Sequence, residues 1–209
     1  MSDSTILSRN GQAAQLHVAT KGSAEILVNL NWNHRSKSAR SLSGGLQQST
    51  ASGIDLDLAC FYELSDGDRG AVQALSRLSG SFDCRPFIMH CGDDRAGSWP
   101  QGENLRINGA RATDIRRVLI YAYIYHGAAN WSQADAVISV KQAGAPDIII
   151  RLDEFEDGLS TCAVAAFENS GSSFRMERLV RYFPDQRSLD EALEWGFRWT
   201  RGAKRSGGF

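Results

Sequence analysis

The sequence predicts an all-β chain, a β-sandwich of two mainly antiparallel sheets with one C-terminal helix. Three observations carry this reading. Short runs rich in β-branched and aromatic residues recur about every dozen residues, separated by Gly, Ser, Asn and Asp. The clearest of them, Asp55 to Leu64, alternates residue by residue in the way a strand between a core and another environment must. Only one stretch, near the C-terminus, has the capping signature and apolar spacing of a helix.

Taken in order, residues 1–15 are polar with little periodicity, and Leu16–Thr20 alternates like a short edge strand; residues 1–21 thus read as a flexible start and one strand. Glu25–Trp32 is a stronger strand. Residues 33–53 break the pattern with Ser, Gly and Gln, carrying His34, Arg35, Lys37 and Arg40 but no acid, and are expected to form a flexible insertion. On the Asp55–Leu64 strand, Asp55, Asp57, Ala59 and Phe61 share one face, while Leu56, Leu58, Cys60 and Tyr62 share the other. Ser65–Gly70 reads as a hairpin connection, and Ala71–Leu75 and Arg85–Met89 as short strands.

A strand is expected to start at Asn104, and Val118–Tyr125, apolar on both faces, reads as a central buried strand. Gly127–Gln133 is a turn, and Ala136–Val140, Asp147–Leu152, Thr161–Phe167 and Phe174–Phe183 supply four more strands. Ser188–Glu191 is a capping box that starts a helix with Ser188 as N-cap. Leu189, Ala192, Leu193 and Gly196 would lie on its buried face, and Trp195 and Trp199 beside it. That helix should lie on the sandwich as a lid. The domain is expected to span 22–204, with 205–209 a loose tail.

Composition limits the functional classes. The formal net charge is −1, which gives no general attraction to nucleic acid or an anionic membrane, so no nucleic-acid partner is expected. No apolar run approaches a transmembrane length of about 18 residues, and nothing at the start reads as a signal peptide. A soluble, cytoplasmic protein is therefore expected. None of the four cysteines forms a C-x-x-C pair; Cys60 and Cys162 lie in apolar strands, and Cys91 beside His90 is the one plausible reactive pair. No nucleophile elbow, phosphate loop, zinc-protease or EF-hand motif is present.

The chemistry concentrates in Met89–Ile107, where Asp93, Asp94, Glu103 and Asn104 stand among three glycines and a proline. Glycines let such a loop double back, so its oxygens can converge as a hard divalent cation requires. Asp55 and Asp57 form a second acidic pair, costly on a core strand unless it emerges at an edge or a cation neutralises it. The two stretches are expected to meet.

These residues carry a resemblance. Ile54–Phe61, Gly92–Gly97 and Gly102–Ile107 resemble the markers of the TerD-domain family of tellurium-resistance and stress-response proteins. Val118–Gly127, the Trp131 turn, Ser160–Asn169 and Trp195–Trp199 are most similar to its TerA-like branch. The resemblance implies a bacterial sandwich protein holding calcium between the Asp-Leu-Asp strand and the Gly-Asp-Asp loop. It further implies membership of an assembly of Ter-type stress-response proteins near the inner membrane, with no established catalysis. The chain departs from the family at Ala96, where a Thr is usual, and at Ser98–Asn104, where consecutive acids are usual.

The expected metal ligands are Asp55, Asp57, Asp93, Asp94, Glu103 and Asn104, with Arg95 orienting a carboxylate or capping a strand end. Five carboxylates suit one calcium ion, or a second only far weaker, and a glycine-rich loop suits calcium better than magnesium. Two other readings use the same residues differently. One is a metal-dependent nucleotide- or phosphate-binding protein or enzyme with the basic 33–53 segment as clamp; the other is a thiol-based tellurite or redox sensor acting through Cys91.

Overall fold

The computed structural model describes residues 4–17, 24–32, 54–74, 78–92, 102–127, 131–152, 158–171 and 173–199. Two sheets face each other, as the alternating strands require. Sheet A has seven strands, in the order β1 (Thr5–Ile6), β11 (Ile148–Arg151), β10 (Val137–Gln142), β3 (Glu25–Asn31), β8 (Glu103–Asn108), β7 (Ile88–His90), β6 (Gly80–Ser81). Sheet B has six: β2 (Ala13–His17), β13 (Ser173–Phe183), β12 (Thr161–Asn169), β9 (Ile115–His126), β4 (Asp55–Leu64), β5 (Arg69–Gln73). All pairings are antiparallel except β1 with β11. The fold class is the expected one.

The face assignment of β4 holds residue by residue. Leu56, Leu58 and Cys60 point into the core between the sheets, with Ile26, Val28, Leu30, Leu105, Ile107, Val118 and Ile120. Ala59 and Phe61 point outward into a second apolar cluster with Leu119, Tyr121, Leu189 and Trp195. β9 lies in the interior of sheet B between β12 and β4, which is why both its faces are apolar.

Several expectations need correction. The helix is α2 (Gln186–Ala192), and its N-cap is Asp185, not Ser188: the Asp185 carboxylate accepts the Ser188 N–H at 2.7 Å. An aspartate three residues earlier captures the free amide, so Ser188 falls inside the first turn. The helix ends before Gly196, which has φ +77°, so Gly196 is not on a helical face. The strand expected over Arg85–Met89 is shifted to Ile88–His90, because Arg85–Pro86 belongs to a turn. Within the expected turn 127–133, Trp131–Ala134 forms a short helix, α1. Strand β1 was not expected from the polar start; it and β2 add one edge to each sheet. The 33–53 insertion and the 205–209 tail lie outside the described residues.

Candidate cation site at the corner of the sandwich

The site forms where β8 of one sheet meets β4 of the other. β5 pairs with β4 only as far as Ala59, so among the described residues the next strand residues have no neighbour on that side within sheet B. The Leu58 N–H is instead accepted by the Glu103 carboxylate through Oε2. Side chains alternate along β8, so Glu103 shares the inward face of Leu105 and Ile107 and points at sheet B. This single contact joins the Asp-Leu-Asp strand to the far side of the acidic loop, as the sequence led us to expect.

Asp57 is 5 % exposed. Burial drives its carboxyl up to about 6; the negative charges of Glu103 and Asp55 add to the rise, while a hydrogen bond with Tyr123 and the nearby His90 oppose it. Tyr123 stands directly across from Asp57 in the β4–β9 register, and burial pushes its own hydroxyl upward. The ring of Tyr123 also lines a cleft of about 310 Å³ with Trp199, Ser160 and Thr161. Among the described residues, Asp57 Oδ2 is buried without a hydrogen-bond partner. His90 Nε2 is likewise buried without one, and the donor that the Glu103 carboxylate accepts is the Leu58 N–H.

His90, at the end of β7, is almost wholly buried. Its Nδ1 accepts the Gly92 N–H at 3.0 Å, and its Nε2 lies 3.4 Å from Glu103 Oε2. The Cys91 N–H donates to the Asn104 carbonyl at 2.9 Å, which closes the two stems of the loop on each other.

The structure places Asp57 within electrostatic reach of both Glu103 and Asp55, with Asp55 exposed and paired with His126 in the β4–β9 register. Asn104 is turned to the other face of β8 by the strand alternation, and its Oδ1 accepts from Asn29 Nδ2 at 3.0 Å. Asp93, Asp94 and Arg95 lie outside the described residues. No group of three or more His, Cys, Asp or Glu arranged to hold a metal ion is found among the described residues. The donor types are those a hard cation would take: carboxylate oxygens from both sheets, with Asp57 Oδ2 lacking a hydrogen-bond partner among the described residues and little solvent to screen the charges of Asp57 and Glu103. They supply part of the roughly 6–8 oxygens that calcium takes.

Tyr123 and His90 escaped the reading of the sequence as site residues. An Asp with a Tyr across the register, and a His two residues before a loop glycine, become signals only when strand pairing is known. Cys91 is half-buried, and burial pushes its thiol up, away from the thiolate that redox chemistry needs. Cys60 is wholly buried and pushed up to about 12.

Among the described residues, no helix is long and apolar enough to cross a membrane. No family model matches the chain. A curated relative, tellurium resistance protein TerA from Alcaligenes sp., is 43% identical over 180 residues, 86% of this chain. The chain spans about half (52%) of that relative's length. Among solved structures, a homologue of the telluride resistance protein TerD from Streptomyces coelicolor A3(2) superposes with a TM-score of 0.51 at 19% identity, covering 79% of this chain and 94% of that one. A second, a protein of unknown function, gives a TM-score of 0.51 at 12% identity, covering 79% and 93%. These two likenesses concern the fold, and the identity to the Alcaligenes protein extends over most of the sequence; this chain belongs to the TerA/TerD-like family of tellurium-resistance proteins.

Proposed function

We propose that this chain is a non-catalytic, calcium-binding module of a tellurium-resistance stress-response system, acting through protein partners. The observation that supports it best is the buried Asp57 carboxylate beside Glu103, whose Oδ2 has no hydrogen-bond partner among the described residues. A buried carboxylate beside another acid is costly, and a divalent cation offsets that cost directly. Asp57, Glu103 and Asp55 would hold the ion, with Asp93 and Asp94 of the adjoining loop completing its carboxylates. A bound calcium would supply charge neutralisation and a fixed geometry for the loop, and the assembly would read that geometry. The partners in this reading are other Ter-type stress-response proteins, met in the cytoplasm at the inner membrane surface.

Calorimetric titration of chelator-treated protein tests the reading. One calcium ion per chain is expected, with magnesium a weak competitor, and the melting temperature should rise with calcium. No binding at millimolar calcium would refute it. For the partners, capture from tellurite-stressed cells should recover Ter-type proteins in calcium and lose them in chelator.

A further inference from the structure

A cleft of about 310 Å³ opens on sheet B, one strand beyond Asp57. Tyr123 and Thr161 stand opposite each other in the β9–β12 register and line it, with Trp199 and with Asp185, Gln186 and Arg187 at the start of α2. Its volume is at the small end of ligand pockets, which run from roughly 300 to 1,000 Å³. Both rings are held in place by the fold. Trp199 Nε1–H donates to Asp190 Oδ2 at 2.5 Å, and its ring lies 6.5 Å from that of Phe61; the Tyr123 ring lies 6.2 Å from that of Tyr121. A ligand that stacks here therefore orders little that is not ordered already.

The polar groups beside the rings are not engaged. Thr161 is 1 % exposed, yet its hydroxyl makes no hydrogen bond among the described residues, and neither do the Gln186 amide and the Arg187 guanidinium. A buried hydroxyl without a protein partner takes one from water or from a ligand. Arg187 lies within electrostatic reach of the Asp185 carboxylate, which itself caps α2 through the Ser188 N–H, so the lining carries no net charge.

This chemistry selects a ligand class. An anion would meet Asp185, a cation would meet Arg187, and a wholly apolar group would leave Thr161 and Gln186 unpaired. A saccharide ring has an apolar C–H face to lay on an aromatic ring and an edge of hydroxyls, each both donor and acceptor. We propose that the cleft between Tyr123 and Trp199 binds a neutral saccharide ring, stacked on the aromatic side chains with its hydroxyls bonded to Thr161, Gln186 and Arg187. The inference goes beyond the calcium reading and stands independently of it.

Saturation-transfer NMR and tryptophan emission test it, both in chelator so that the outcome does not depend on calcium. The probes are the methyl glycosides of glucose, galactose, mannose and N-acetylglucosamine. At least one should bind saturably with a Kd on the order of 1 mM, as about a dozen non-hydrogen atoms allow. The strongest transfer should fall on its ring C–H protons. Thr161→Val removes the hydroxyl and keeps the branched shape, and should weaken binding about 3–10-fold. Arg187→Ala changes an exposed side chain, should weaken binding by a similar factor, and serves if Thr161→Val fails to fold. Trp199→Ala should abolish binding. No saturable binding of any probe at about 50 mM, or binding unchanged in all three variants, would overturn the inference. Tighter binding of adenosine or of an oligoproline peptide would overturn it too, by assigning the aromatic walls to a base or to a partner chain.

Discussion

Glu63 and Arg117 face each other across β4 and β9, and Arg117 Nε donates to Glu63 Oε2 at 2.7 Å. The same guanidinium lies 4.1 Å over the ring of Trp195, in the segment after α2. One arginine therefore pins the C-terminal segment to the outer face of sheet B, and one carboxylate, 1 % exposed, holds that arginine. Arg116 and Arg69 close on the same carboxylate at 2.7 and 3.2 Å, and Arg69 Nη1 donates to the Trp195 carbonyl at 2.8 Å.

Glu63→Gln should therefore loosen more than one contact. It leaves three cations sharing an uncharged acceptor, although their exposure to solvent moderates the loss to about 1–3 kcal/mol. The pH dependence has a definite sign. Burial alone would raise the Glu63 carboxyl, but the hydrogen bond and charge of Arg117, with Arg69 and Arg116, bring it below the usual glutamate range. A lowered folded value means stability that is present above the unfolded value, about 4.3, and lost as pH falls through the folded one. Denaturant midpoints measured from pH 7 down to 3 should fall in the wild type, and the fall should be shallower in Glu63→Gln.

Asp57→Asn should do the reverse. The folded carboxyl titrates at about 6, above its unfolded value, so its contribution is most favourable at low pH and is lost as pH rises from about 4 to 6. Removing the charge should stabilise the calcium-free protein at pH 7 by up to about 2–3 kcal/mol. The same substitution should abolish the gain from calcium. Chemical denaturation in chelator and in calcium, wild type against variant, checks both halves; a variant less stable than wild type in chelator at pH 7 would contradict the first.

These two residues also show what the sequence can and cannot disclose. Both sit on β4, whose ends and faces were readable because its alternation is unbroken and both its faces are buried for different reasons. That Asp57 would be costly, and that Glu103 would be its companion, followed from charge on a core strand and glycines in a loop. The partners Tyr123, His90 and the Leu58 N–H did not follow, because they depend on the β4–β9 register and on how two sheets meet. Asn104 was expected beside Glu103 and is not, since adjacent residues on a strand point to opposite faces. The helix start was misplaced for a local reason: Asp185 and Ser188 compete for one cap, and the aspartate wins.

Asp190 anchors the end of the described chain. It is buried, and its carboxylate accepts the Gly196 N–H at 2.8 Å, the Phe197 N–H at 3.2 Å and the Trp199 Nε1–H at 2.5 Å. Those bonds turn the chain after α2 so that Trp195, Phe197 and Trp199 pack around Phe61. Asp190→Ala strands three donors and should cost about 3 kcal/mol, since hydrogen bonds to a charged group are worth about 1.5–3 kcal/mol each and do not add fully. Tryptophan emission should shift to the red and become open to acrylamide quenching before the core unfolds. Unchanged quenching would show that the aromatic packing holds the segment without the carboxylate.

Gly102 ties the backbone of the loop to the candidate site. It has φ +104°, and a Cβ there would stand 2.0 Å from the Leu30 carbonyl oxygen of β3. Neither problem can be relieved by moving a flexible side chain, because the obstacle is backbone and the positive φ is itself costly for any residue with a Cβ. The chain passes this close because the next residue, Glu103, pairs with Leu30 in the β3–β8 register while its side chain crosses to β4. Gly102→Ala should therefore destabilise the fold by more than the roughly 1–2 kcal/mol that a left-handed conformation costs a residue with a Cβ, and it should displace Glu103 from Leu58. Calcium affinity should drop more in Gly102→Ala than in Gly92→Ala, where φ is also positive but no atom of the described residues stands within 4 Å of the added methyl. Equal losses at the two glycines would mean that conformational strain alone matters, and that the close approach to β3 does not position Glu103.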